Sequence, residues 1–110
     1  QRVLRQRGNY YPAMINIGNI HYLRDNSEQA LSYYQQAAEI APDNPTVLLN
    51  LARANHKLEN YYGSGKAYEK LQEVSPSLAD RFAYLDMRGE ESARAAEAGG
   101  VQGVMIWEEE

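Results

Sequence analysis

Shifted by 34 residues, the stretch 11–44 lies over 45–78 without a gap. Asn16/Asn50, Asn26/Asn60, Tyr34/Tyr68, Glu39/Glu73 and Pro42/Pro76 are identical pairs. Met14/Leu48, Ile15/Leu49, Ile17/Leu51, Gly18/Ala52, Asp25/Glu59, Ala30/Ser64 and Ile40/Val74 are similar. A period of this length implies one supersecondary unit built twice and stacked, because a single unit of 34 residues cannot bury its own apolar face.

Each unit reads as two helices. Met14, Ile17, Gly18 and His21 recur at three- and four-residue spacing, and so do Ala30, Tyr34, Ala37 and Ile40 over 27–41. Asn26 is placed to cap the second helix, with Gln29 completing a capping box. Pro42-Asp43-Asn44-Pro45 ends one helix and opens the next, Asn44 as cap and Pro45 in the first turn. The second unit follows with Leu48, Leu51, Ala52 and Asn55, then Ser64, Tyr68, Leu71 and Val74, closed by Pro76. Alternating strand-like runs are missing and β-branched residues are few. The fold class is therefore all-α.

These residues resemble the tetratricopeptide repeat (TPR), whose signature is a Leu-Gly pair, a later aromatic, then Ala, an aromatic, Ala and a closing Pro. Ile17-Gly18, His21-Tyr22, Ala30, Tyr34, Ala37 and Pro42 take those roles. The second unit departs from the pattern at Ala52, Ser64 and Leu71, the first two of which stay small. The resemblance implies an α–α superhelix, a TPR solenoid of two full 34-residue repeats at 11–44 and 45–78. Residues 1–10 read as the end of a preceding helix, with Gly8-Asn9 as its stop. Residues 79–98 read as degenerate capping helices, and 99–110 as a tail. A third first helix is expected over 77–88, capped by Ser77 and Asp80, with Phe82 and Leu85 facing inward. Glu90–Ala98 reads as a short Ala/Glu-rich helix stopped by Gly99-Gly100. The tail, with Val101, Val104, Ile106 and Trp107, is apolar enough to be expected in an ordered, buried position.

Charge and composition exclude several classes. The net charge of −4 speaks against a nucleic-acid binder, which needs a basic surface to neutralise phosphates. The charge is uneven: Gln1–Arg24 holds four Arg and no acid, whereas Gly89–Glu110 holds six Glu and one Arg. Solvated ends account for this, as does electrostatic steering of a partner or head-to-tail association. With no cysteine, disulfides, thiolate nucleophiles and cysteine zinc sites are all excluded. No apolar run approaches the ~20 residues of a membrane span, so no membrane insertion is expected of this segment. Gln1 opens the chain without a targeting segment, as expected of a piece of a longer protein, and the compartment is not legible.

No catalytic, cofactor or metal constellation assembles, and the expectation is a non-enzyme without a cofactor. His21 takes a core aromatic position, and His56 matches Tyr22 on the binding side. Neither has a Ser, Cys or carboxylate at a triad or metal spacing. Gly63-Ser64-Gly65-Lys66 lacks the leading Gly and the trailing Ser or Thr of a phosphate loop.

By resemblance, the partner-binding groove falls on the first helices. Its residues are Ile15, Asn16, Asn19 and Tyr22, then Leu49, Asn50, Arg53 and His56, then Tyr84 and Met87. Asn amides there would hold a peptide backbone, and the rings would pack its side chains. TPR domains that grip a chaperone's C-terminal carboxylate use two Asn and three cations. Here Asn19 and Asn50 are present, but Ile15, Asp80 and Tyr84 stand at the cation places, so that subclass does not fit. The implied partner is another protein or peptide held in the groove. The alternative is a homo-oligomer or self-packing module working through the groove, the ends or the tail.

Overall fold

The computed structural model describes residues 7–86. Five α-helices follow one another: α1 Arg7–Leu23, α2 Ser27–Ile40, α3 Pro45–Lys57, α4 Tyr61–Val74 and α5 Pro76–Arg81. A single 3-10 turn, Ala83–Asp86, comes after them. The expectations for Met87, for the helix at Glu90–Ala98 and for the apolar tail lie outside the described residues.

The turns inside the two hairpins are built alike. Asp25 and Glu59 take left-handed backbone, φ 66° and 64°. Asn26 N–H then donates to the His21 carbonyl and Asn60 N–H to the Asn55 carbonyl, each at 2.8 Å. This is a Schellman-type stop, which satisfies carbonyls the helix leaves unpaired and reverses the chain in three residues. Turns this short make α1/α2 and α3/α4 antiparallel neighbours. Between the hairpins, Asn44 caps α3, its side-chain oxygen accepting from Thr46 N–H and Val47 N–H at 2.9 and 3.1 Å.

Three expectations are corrected. Asn26 stands at the cap position of α2, but its side chain makes no capping bond. α1 runs from Arg7 through Pro12 to Leu23, so Gly8-Asn9 does not end a helix. Pro12 comes early in α1, where its missing N–H removes one intrahelical bond. The third unit breaks step as well: a 34-residue move from Pro45 leads to Ala79, yet α5 begins at Pro76 with Ser75 before it. Ser77 and Asp80 are therefore inside the helix rather than capping it, and the helix stops at Arg81 instead of reaching residue 88.

Packing follows the small residues. Ala30, Tyr34 and Ala54 form one buried group, and Ile15, Ala37 and Val47 another, which joins α1, α2 and α3. The largest group gathers Leu48, Leu49 and Ala52 of α3 with Tyr68 and Leu71 of α4. Ala79, Phe82 and Leu85 close it from the far side. Phe82 and Leu85 do face inward, although only the first of them directly follows a helix.

Candidate functional site: the first-helix side and its arginine–tyrosine cluster

Gly18 and Tyr34 set the geometry of the first hairpin. The ring lies so close that a Cβ on Gly18 would stand 2.7 Å from Tyr34 Cε1. From there the Tyr34 hydroxyl donates to Asn19 Oδ1, both groups buried. Burial raises the Tyr34 pKa well above the ordinary tyrosine value, since the phenolate would have to form without water. Asn19 thus belongs to the interior of the hairpin.

In the second hairpin Ala52 replaces Gly18, Arg53 replaces Asn19, and the equivalent tyrosine turns elsewhere. The Tyr68 hydroxyl donates to the Ala79 carbonyl at 2.8 Å. Arg53 is 2% exposed, its guanidinium 5.3 Å from the Tyr22 ring centroid and 5.7 Å from that of Phe82. Such stacking suits arginine, whose flat and weakly hydrated group loses little on leaving water. Tyr84 hydrogen-bonds Arg53. Its pKa is raised by burial, an effect the Arg53 charge partly offsets. The His56 imidazole meets Tyr61 and Tyr84 edge-on at 5.4 and 5.3 Å, and burial lowers its pKa. Lys57 reaches the same Tyr22 ring at 5.1 Å and pairs with Asp25 at 3.1 Å.

The expected groove is accordingly corrected. Ile15, Asn19, Leu49, Asn50, Arg53 and Tyr84 are all buried, so none offers a surface to a partner. The physical reason is partly the close approach of α1, α2 and α3 over small residues. The rest is the fold-back after α5, which lays Phe82 and Tyr84 on Arg53. Asn16, Tyr22 and His56 remain half-exposed, and Lys57 beside them is exposed. The Asn50 side-chain amide is buried with no hydrogen-bond partner at Nδ2. His21, expected in a core aromatic position, is half-buried and stacks on Tyr33 at 5.5 Å.

Phe82 and Tyr61 are members of this cluster that the groove positions omit. A signal for Phe82 was present in the sequence, as an aromatic pair two residues apart directly after a helix. Among the described residues no three His, Asp or Glu side chains gather to hold a metal ion. No described helix is long and apolar enough to cross a membrane.

Stacked antiparallel hairpins of 34 residues, small side chains at the helix crossings and a proline after each second helix define a helical-repeat protein. Residues 18–59 match the family described as "TPR repeat", and residues 45–78 match "Tetratricopeptide repeat". Together these matches cover more than half of the chain, which belongs to the tetratricopeptide-repeat family. The chain is also 34% identical, over 70 residues, to the photosystem I assembly protein Ycf3 of Rippkaea orientalis. That alignment spans 64% of this chain and 38% of the relative's length. No solved structure matches the chain significantly.

Proposed function

We propose that this chain is a non-catalytic scaffold that holds a segment of another protein against the side formed by its first helices. The observation that carries the reading is the division of that side into a fixed floor and an accessible rim. Asn19, Asn50 and Arg53 are buried and packed, while Asn16, Tyr22, His56 and Lys57 stay within reach of a ligand. A rigid floor lowers the ordering cost of binding, and a rim of amide, ring and cation suits an extended or helical peptide with acidic character. Similarity to a relative named as an assembly protein supports a role in bringing polypeptides together.

The test begins with a partner captured from the source organism by the full-length protein and then purified. Lys57→Gln and Tyr22→Leu should each weaken its binding about three- to tenfold, roughly 0.6–1.4 kcal/mol. Gln35→Ala, on the exposed side of α2, should leave it unchanged. A partner that responds to Gln35→Ala and ignores the other two would place binding on the opposite surface.

A second reading, self-assembly, is favoured by one observation: Ile17 and Ile20 of α1 are apolar yet exposed among the described residues.

A further inference from the structure

Arg53, His56 and Lys57 stand three and four residues apart on α3, so one helix face carries three nitrogen bases. One repeat earlier the same places hold Asn19, Tyr22 and Leu23. The repeat fold therefore does not require basic groups there, and their presence in the second unit asks for a use. The three share aromatic neighbours. Arg53 and Lys57 both approach the Tyr22 ring of α1. Tyr84, from the turn after α5, hydrogen-bonds Arg53 and meets His56 edge-on, and Tyr61 of α4 meets His56 as well. Among the acids nearby, Asp25 pairs with Lys57 from the α1/α2 turn. Glu59 follows in the next turn and is exposed, while Asp80 and Asp86 raise the pKa of Tyr68.

We propose that His56 makes the binding of an acidic partner segment sensitive to pH: the segment's carboxylates seat against Tyr22 and Lys57 while His56 takes up a proton, so that acidification tightens the complex. Charge complementarity chooses this occupant, since a carboxylate arriving at the rim meets two cations and a third group able to become one. Without a ligand, a charged His56 would stand one helical turn from the buried Arg53 cation, and burial holds its pKa below the ordinary value. The ring is therefore uncharged at neutral pH. A carboxylate placed within about 4–6 Å of an imidazole favours the protonated form. The bound state then holds the proton more firmly than the free state. By linkage, affinity rises as pH falls through the bound-state pKa of His56 and levels off below the free-state one.

The inference rests on the reading of this rim as the partner-binding surface. Its probe is a fluorescent, end-blocked peptide of alternating Glu and Ala, titrated with the full chain and followed by anisotropy. The series runs from about pH 7.5 to about pH 5, where Glu side chains stay mostly ionised. Melting curves at each pH check that the protein is folded. Affinity should rise about three- to tenfold across the series, and His56→Gln should remove the rise. If that variant does not fold, His56→Asn replaces it. The His56 ring resonances of the wild-type chain give a readout that needs no substitution, since their titration midpoint should move up when the peptide is bound. A peptide with Gln in place of Glu should show no such rise. Affinity that stays level or falls on acidification overturns the proposal, as does a rise that survives His56→Gln or a midpoint that does not move. So does a Glu peptide that fails to bind at any pH, with the partner captured by the full-length protein left to judge the rim itself. Binding that weakens with Lys57→Gln and Tyr22→Leu yet ignores pH would refute this inference and leave the rim reading standing.

Discussion

Replacing Gly18 by Ala sets two effects of known size against each other. In an open helix the change stabilises by about 1 kcal/mol, because Gly loses more backbone freedom than Ala on folding. Here the new methyl would sit 2.7 Å from Tyr34 Cε1 and 3.0 Å from Cδ1. Carbon atoms prefer a separation of about 3.5–4.0 Å, so the ring must retreat by roughly 1 Å. It is not free to do so, being 1% exposed and tied by its hydroxyl to Asn19. Overpacking of this kind costs about 1–3 kcal/mol, and the larger Leu would cost more. The expected net effect of Gly18→Ala is a loss of about 1 kcal/mol, read as a lower urea midpoint with an unchanged slope. In a Tyr34→Phe background the ring is released from Asn19, and the penalty should fall by half or more. A Gly18→Ala protein more stable than wild type by about 1 kcal/mol would show that propensity alone operates and that Tyr34 is not fixed against this helix.

Four further substitutions probe single features, each by equilibrium unfolding. Asn44→Ala removes two cap bonds to α3 and should cost about 1–2 kcal/mol, whereas Asn26→Ala, without such bonds, should stay within about 0.5 kcal/mol. Glu59→Gly relieves left-handed backbone. It should stabilise by about 0.5–1 kcal/mol net of the extra freedom it gives the unfolded chain. His56, whose pKa is lowered by burial, binds its proton less readily folded than unfolded. Stability should therefore fall as pH drops below the unfolded value near 6.5 and level off below the folded one. His56→Gln should flatten the fall in stability that sets in below the unfolded value; a profile identical to wild type would mean that His56 is equally solvated in both states.

The helical repeat was legible because periodicity and punctuation agree. The same 3–4 spacing, the same Asp/Glu-Asn turn and the same prolines recur in both hairpins. Punctuation alone does not fix where the helices end. Gly8 and Asn9 are helix-breaking types, yet α1 continues through them. Pro76 closes a repeat on the pattern but here opens α5. Several expected groove positions lie deeper than the pattern suggests, for a different reason. The resemblance assigns Asn19 and Arg53 to the groove side of their helices but does not say how deep that side lies. Depth was decided by partners distant in sequence, Tyr34 for Asn19, and Phe82 with Tyr84 for Arg53. The shallower positions, Tyr22 and His56, kept part of their expected exposure.

The two equivalent tyrosines distribute cohesion differently along the solenoid. Tyr34 bonds Asn19 within its own hairpin, while Tyr68 bonds the Ala79 carbonyl of the helix that follows. In a stack whose stability is the sum of unit terms and neighbour terms, the first bond adds to a unit and the second to a junction. Loss of the Tyr34 hydroxyl should weaken the first hairpin locally, so that its amides exchange through openings the rest of the chain does not share. Loss of the Tyr68 hydroxyl should instead loosen the link between α4 and α5, letting the far end fray before the second hairpin opens. Cooperativity in this chain is thus set separately at two positions that the repeat pattern writes with the same letter.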